Sequence, residues 1–247
     1  MSIEQKLDTI EDNVAKVYSA GIEDGKQEGY QGGFEAGQKS EWNKFWDVLQ
    51  CNGTRTNYNY AFYSAGNNQS GWNDDNFKPK YDLNIAHAQY TFQNSRITNL
   101  KQILINCGVS LNITSTQMYY TFYISDVTHL PEIGSTKCTN AQNCFNNCIN
   151  LVSIDKLILS NTADCAIQNA FMSCSSLAEI RFSENISPVG LSLSACNNLS
   201  HDSILNLLNA LAVKSGSTYS VTLGSTNLAK LTDAEKAIAT QKGWTLA

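Results

Sequence analysis

The chain has 247 residues, a formal net charge of −5 and only 16% charged residues, against roughly 25% in an ordinary soluble domain. That length admits one or two domains. The mild acidity argues against a nucleic-acid partner, and no run of about 18 apolar residues is present to span a membrane. Polarity comes from Asn, Ser, Thr and Gln rather than from ions.

The start, Met1-Ser2-Ile3-Glu4-Gln5-Lys6, lacks the apolar stretch of a secretion signal, so a protein made and left in the cytoplasm, or leaving it by a route that needs no signal, is expected. Ile3, Leu7, Ile10, Val14 and Val17 then follow at spacings of 4, 3, 4 and 3. This is a heptad stripe, and it predicts a coiled-coil seam. Gly21, Gly25, Gly29, Gly33 and Gly37 fall at every fourth position after it, among helix-forming side chains. Five interior glycines cost a helix about 5 kcal/mol relative to alanine. A helix here therefore requires another backbone packed closely against the glycines. The alternative is a flexible glycine-rich linker over 20–40. Trp42, Phe45, Trp46 and Leu49 resume a helical period over 41–50. Residues 1–50 read as a helical arm for oligomerisation or docking.

Residues 51–85 form the most aromatic stretch, with Tyr58, Tyr60, Phe62, Tyr63, Trp72 and Phe77. Tyr58, Tyr60 and Phe62 alternate as in a strand, and the stretch reads as a cap or connector. Repetition begins beyond it. Phe145-x-x-Cys148-x-x-Leu151-x-x-Ile154 recurs as Phe171-x-x-Cys174-x-x-Leu177-x-x-Ile180, and Cys196-x-x-Leu199 repeats its centre. Two looser units precede these, Tyr90-Thr91-Phe92-x-x-Ser95-x-Ile97-x-x-Leu100 and Tyr120-Thr121-Phe122-x-x-Ser125-x-Val127-x-x-Leu130. A pattern recurring every 20 to 30 residues predicts a solenoid over 86–200, in which Phe145, Cys148, Leu151, Phe171, Cys174, Leu177, Cys196 and Leu199 line up as core ladders. Strands are expected near Ser153–Leu157 and Leu177–Phe182, stacked as a narrow parallel sheet. Residues 201–247 read as a terminal α/β cap. It has an apolar-faced helix over Ser203–Val213, a strand at Ser217–Leu223, a capping box at Thr232-Asp233-Ala234-Glu235 and a last strand at Trp244-Thr245-Leu246.

The eight cysteines include three at the repeated core position and form no C-x-x-C pair, which predicts buried free thiols. His87, His129 and His201 have no partner at metal-ligand spacing. Neither a nucleophile elbow nor a phosphate-cradling loop is present. The carboxylates of the repeats are scattered. The sequence therefore predicts a non-enzymatic protein with no cofactor and no metal.

The F-x-x-C-x-x-L-x-x-I units resemble the leucine-rich repeats of the BspA-like type, over residues 86–200. The glycine-every-four arm leading into Glu41-Trp42-x-x-Phe45-Trp46, the Asn52–Tyr58 stretch and the ending from Leu231 to Leu246 resemble proteins encoded by bacteriophages and prophages of gut bacteria. The resemblance implies an α/β solenoid with an N-terminal coiled-coil arm, working as a virion structural component of the tail or fibre kind. Such a protein is made in the host cytoplasm and released by lysis. It implies contacts with other virion proteins through the arm, assembly as a homo-oligomer (a trimer by fibre geometry), and a polar surface for a host glycan or protein receptor. A bacterial leucine-rich repeat adhesion module is the second reading, and a glycan-active enzyme the third.

Overall fold

A computed structural model describes residues 58, 61–66, 73–79, 81–215 and 219–247. The arm residues Ile3, Leu7, Ile10, Val14, Val17, Gly21, Gly25, Gly29 and Gly33, and the helix expected over 41–50, lie outside the described residues. In chain order the elements are β1 (Leu83–Ile85), α1 (Leu100–Cys107), β2 (Leu111–Ile113), β3 (His129–Gly134), β4 (Ser153–Ile158), β5 (Cys165–Ala166), β6 (Glu179–Phe182), β7 (Pro188–Val189), α2 (His201–Ala210), β8 (Tyr219–Val221), α3 (Ser225–Leu228), α4 (Asp233–Gln241) and β9 (Trp244–Leu246).

Every strand pairing among these elements is parallel. β1 pairs with β2, β3 with β4 and then β6, β5 with β7, and β8 with β9. The registers match equivalent repeat positions. Leu130 faces Ile154, which faces Ile180, and Ile133 faces Leu157, which faces Phe182. The pairing of Leu130 with Ile154 fixes the alignment of the looser units, whose leucine arrives one residue early because the preceding loop is one residue shorter. A short strand holding one apolar residue per two positions has too little apolar surface to be stable alone; stacking supplies the other half of the contact.

Between the strands, each chain turn carries a phenylalanine into the interior. Phe62, Phe92, Phe122, Phe145 and Phe171 stack face to face in one column, with successive centroids 5.0, 5.1, 5.7 and 5.2 Å apart. All five rings are buried. Leu193 takes the next place, since the amide of Cys196 bonds its carbonyl as that of Cys174 bonds Phe171. The column begins upstream of residue 86. Residues 61–66 form turns, so Phe62 does not stand in a strand, and Tyr60 of the expected alternation lies outside the described residues. Phe77 meets Phe62 edge-on at 5.0 Å.

A second column explains the cysteines. The thiols of Cys148, Cys174 and Cys196 donate to the carbonyls of Phe122, Phe145 and Phe171 in the preceding turn, at 2.8, 3.0 and 3.8 Å. Each of those carbonyls already accepts an amide within its own turn, from Ser125, Cys148 and Cys174 respectively. The thiol therefore fills the second lone pair of a buried oxygen, and it is small enough to sit between stacked turns. Threonine does the same work earlier in the chain: Thr91 Oγ1 donates to Tyr58 O and Thr121 Oγ1 to Ala88 O, at 2.9 and 2.7 Å. Burial pushes the Cys148 and Cys196 thiols up to about 12. All seven cysteines of the described residues are free.

Both edges of the central sheet are closed. At β6, Ser203 Oγ and Asn206 Oδ1 of α2 accept the amides of Ile180 and Phe182, at 3.0 and 2.7 Å, where another strand would have stood. On the other side α1 packs against β3, and the Thr128 amide donates to Thr98 O at 2.6 Å. An open edge of this kind invites pairing with other chains, and covering it removes the template. The final segment closes the last turn. Buried Asn227 donates through Nδ2 to Leu193 O, Cys196 O and Leu223 O, and Lys230 Nζ to Asn197 O and Leu199 O. The predicted capping box is present, Thr232 with Glu235, and Trp244 Nε1 donates to Ala212 O at 2.7 Å. Helix α1, with Asn99 as N-cap and Gly108 in the left-handed C-cap, is an element the sequence reading did not anticipate.

Phe145→Ala is expected to destabilise the domain by about 3–5 kcal/mol. Phe145→Leu should cost less than half of that, because Leu193 already serves in the column; urea unfolding midpoints of the two variants check this. A thiol reagent applied to the native protein should label Cys107, the half-buried one, and reach Cys138, Cys144, Cys148, Cys165, Cys174 and Cys196 only on unfolding. Peptide mapping by mass spectrometry reads the order of labelling.

Candidate binding edge

Stacking of the turns fixes what faces outward. Two residues before Phe92, Phe122, Phe145 and Phe171 the backbone is left-handed, at Tyr90, Tyr120, Asn143 and Asn169, with φ of 57°, 54°, 53° and 58°. Two residues after each ring, Phe62 included, the same happens at Ser64, Asn94, Ile124, Asn147 and Ser173, with φ of 54°, 55°, 56°, 60° and 64°. The reversed φ aims each amide along the stack: Tyr90 N donates to Tyr119 O, Tyr120 N to Gln142 O and Asn143 N to Gln168 O at 3.1–3.2 Å. Ser64, Asn94, Ile124 and Asn147 donate in the same way to Gln93, Tyr123, Asn146 and Met172 of the following turn. Asn and Ser tolerate this conformation; an aromatic or β-branched side chain does so at a cost of about 1–3 kcal/mol. Tyr90, Tyr120 and Ile124 are therefore strained choices at positions where neighbouring turns use Asn or Ser.

Those three residues surround a group of phenol rings. Tyr90 stacks on Tyr120 at 5.4 Å and 11°. Tyr119 stands edge-on to Tyr90 at 5.4 Å and to Tyr120 at 4.4 Å, and Tyr123 edge-on to Tyr120 at 4.8 Å. All four are partly exposed, and Ile124 beside them is 43% exposed. Burial, then the neighbouring phenols of Tyr119 and Tyr123, push the Tyr120 hydroxyl above its usual value, so it stays a neutral donor. Amides surround the rings, and some bond each other: Gln89 with Gln117, and Gln142 Nε2 with Gln168 Oε1 at 2.7 Å. Gln93 and Asn146 occupy the places of Tyr123 in the turns before and after it. Each keeps a buried side-chain carbonyl, Gln93 Oε1 and Asn146 Oδ1, that meets no protein donor. Such an orphan acceptor costs about 1–3 kcal/mol.

The edge carries no charge. The four equivalent segments 88–95, 118–125, 141–148 and 167–174 contain no Asp, Glu, Lys, Arg or His. His87, Arg96 and Asp126 stand directly at the ends of these segments, and ion pairs lie on the outer face of the central sheet and around the C-terminal segment. Lys101 pairs with Asp155 at 2.8 Å, Lys156 with Glu132 at 3.9 Å and Lys214 with Asp164 at 2.8 Å. His201 Nε2 meets Glu235 at 2.8 Å and its Nδ1 meets Asp202 at 3.3 Å; those carboxylates raise its pKa. A shallow hollow beside α1, lined by Leu104, Ser110, Leu111 and Pro131 among others, holds the Lys101–Asp155 pair. Among the described residues no three metal-ligating side chains converge, and no helix is long and apolar enough to cross a membrane.

The ladder residues named from sequence do not form a site. Phe145, Cys148, Leu151, Phe171, Cys174, Leu177, Cys196 and Leu199 are all buried beneath this edge, and they set the spacing of what stands above them. The tyrosines were present in the repeat pattern, but the pattern does not say which way they point. The signal that marks them is the absence of charge in the four aligned segments. Comparison of the chain with protein-family profiles, with curated proteins and with solved structures finds no match in any of the three.

Ile124→Asn, which places at this position the residue found at Asn94 and Asn147, is expected to raise stability by about 1 kcal/mol or more through relief of the left-handed strain. A higher thermal midpoint with an unchanged circular dichroism spectrum checks it.

Proposed function

We propose that this chain is a non-enzymatic binding protein of a bacteriophage particle, a tail, fibre or decoration component. In this reading residues 86–200 are an α/β solenoid of the BspA-like leucine-rich repeat type. The arm at 1–50 joins the chain to other virion proteins and to its own copies as a trimer, and the solenoid displays its surface to the host. The observation that supports it best is the in-register stacking of equivalent turns. Such stacking repeats one outward surface from turn to turn, which suits recognition of an extended partner. A broad, repeated, uncharged edge of phenols and amides is suited to recognition, since it presents many hydrogen-bond donors and acceptors with aromatic area and little electrostatic bias. A cytoplasmic assembly route accords with the free thiols.

If the reading holds, mass spectrometry of density-purified particles should detect the full chain. Replacing Leu7 and Ile10 together by Asp should remove it from the particles while the fold of residues 81–247, followed by near-ultraviolet circular dichroism, stays as in the parent. Detection on a bacterial surface and never in particles would favour the adhesion-module reading instead.

A further inference from the structure

We propose that the tyrosine cluster at Tyr90, Tyr119, Tyr120 and Tyr123 is a binding platform for a neutral, hydroxyl-rich glycan. This rests on the reading of the chain as a display protein and gives that surface a ligand class. Three observations carry it independently.

The first is the strain. Asn143 and Asn169 show that the stack needs only a left-handed residue at the Tyr90 and Tyr120 places. Bulky rings there contribute nothing to the hydrogen bond that continues the stack, which the amide makes in either case. Local strain of this kind persists where the side chain serves another purpose. What the ring adds is a rigid aromatic cluster: Tyr90 and Tyr120 lie nearly parallel, with Tyr119 edge-on to both and Tyr123 edge-on to Tyr120. Tyrosine orders only two side-chain torsions, and here packing has fixed them before any ligand arrives.

The second is charge. With no Asp, Glu, Lys, Arg or His in the aligned segments, these turns supply no formal charge to neutralise a phosphate, sulfate, carboxylate or ammonium group. A charged ligand would lose water there without gaining a partner. A pyranose fits instead. Its C–H face is apolar and slightly positive and lies against the negative face of an aromatic ring, and its rim of hydroxyls both donates and accepts.

The third is the pair of orphan acceptors. Gln93 Oε1 and Asn146 Oδ1, on either side of Tyr123, want donors that the protein does not supply. Both oxygens are buried, so a ligand hydroxyl would meet them only where a neighbouring side chain moves aside.

The test uses the full-length protein on an array of neutral and acidic oligosaccharides, with calorimetry on the hits. The variants are Tyr120→Asn and Tyr119→Gln, each introducing what the following turn already carries at that place, Asn143 and Gln142. Both are therefore expected to fold, as thermal melts would verify. At least one neutral glycan should bind, each variant should weaken it by about tenfold or more, and affinity should hold between about 0.01 and 1 M ionic strength because no ion pair is involved. Binding confined to acidic glycans, affinity lost in salt, or affinity unchanged in both variants would overturn the platform. Attachment of the parent protein to host cells with no neutral glycan bound, or attachment abolished by protease treatment of the cells, would overturn the glycan assignment and leave the display role standing. Absence from particles and from host cells would remove the display role itself.

Discussion

The amides of four phenylalanines in the column donate to the residue that precedes the next ring: Phe62 to Thr91, Phe92 to Thr121, Phe122 to Cys144 and Phe145 to Ala170, at 2.7–3.0 Å. That repeated bond sets the rise of the stack, and the rest follows from it. Rings at successive turns must lie about one strand spacing apart, which is why the column runs at 5.0–5.7 Å. The three-stranded sheet shares the same rise, so Leu130, Ile154 and Ile180 align without a separate device. A turn lengthened by one residue can be absorbed in the loop between ring and strand, as between Phe122–Leu130 and Phe145–Ile154. It cannot be absorbed within the ring turn, where each position points in a fixed direction.

The direction is fixed because the ring turn alternates hand. Left-handed residues two before and two after the phenylalanine send amides along the stack, while the phenylalanine and the residue before it send their side chains inward. Carbonyl oxygens left in the interior then need donors. A thiol or a threonine hydroxyl from an adjoining turn provides one without widening the stack. The cysteines are thus not interchangeable with alanine in this account, and serine, which stands in their place at Ser95 and Ser125 and is buried there, satisfies the same requirements of size and polarity. The pairing of inward thiol with outward phenol also explains how an interior built from weak donors coexists with a surface of strong ones.

Much of this is legible in the sequence, and the limits of legibility have physical causes. Phe145, Cys148, Leu151 and Ile154 announce themselves because a core position tolerates few residue types, so the spacing survives from one turn to the next. Thr232 and Glu235 do so because a capping box is a local structure whose partners are three residues apart. Helix α1 escaped notice because its eight residues stand where later units place a strand, and its apolar positions Leu100, Ile103 and Leu104 continue the repeat pattern. Asn99 and Gly108 were the signs of it. The tyrosine edge escaped for a different reason. Tyr90 and Tyr120 sit beside core threonines, and only the left-handed backbone, which no residue type other than glycine signals strongly, turns them outward.

The separation of charge from this edge has a cost that the fold meets elsewhere. A stack with open ends leaves one turn of carbonyls unpaired, and ions or amides are the usual means of covering them. Here the ionic and strongly polar means are concentrated beyond the last turn. Asn227 spans three carbonyls with one amide group, and Lys230 bridges two more from its single ammonium. Lys242 Nζ likewise meets Leu208 O and Asn209 O at the end of α2, where a cation complements the helix dipole. The sheet face carries its own pairs, each half-exposed and worth little singly. Because caps and sheet hold most of the charged groups, the ring turns themselves need none, and a surface of that kind suits a neutral partner held through ring contact and hydrogen bonds over a wide range of ionic strength.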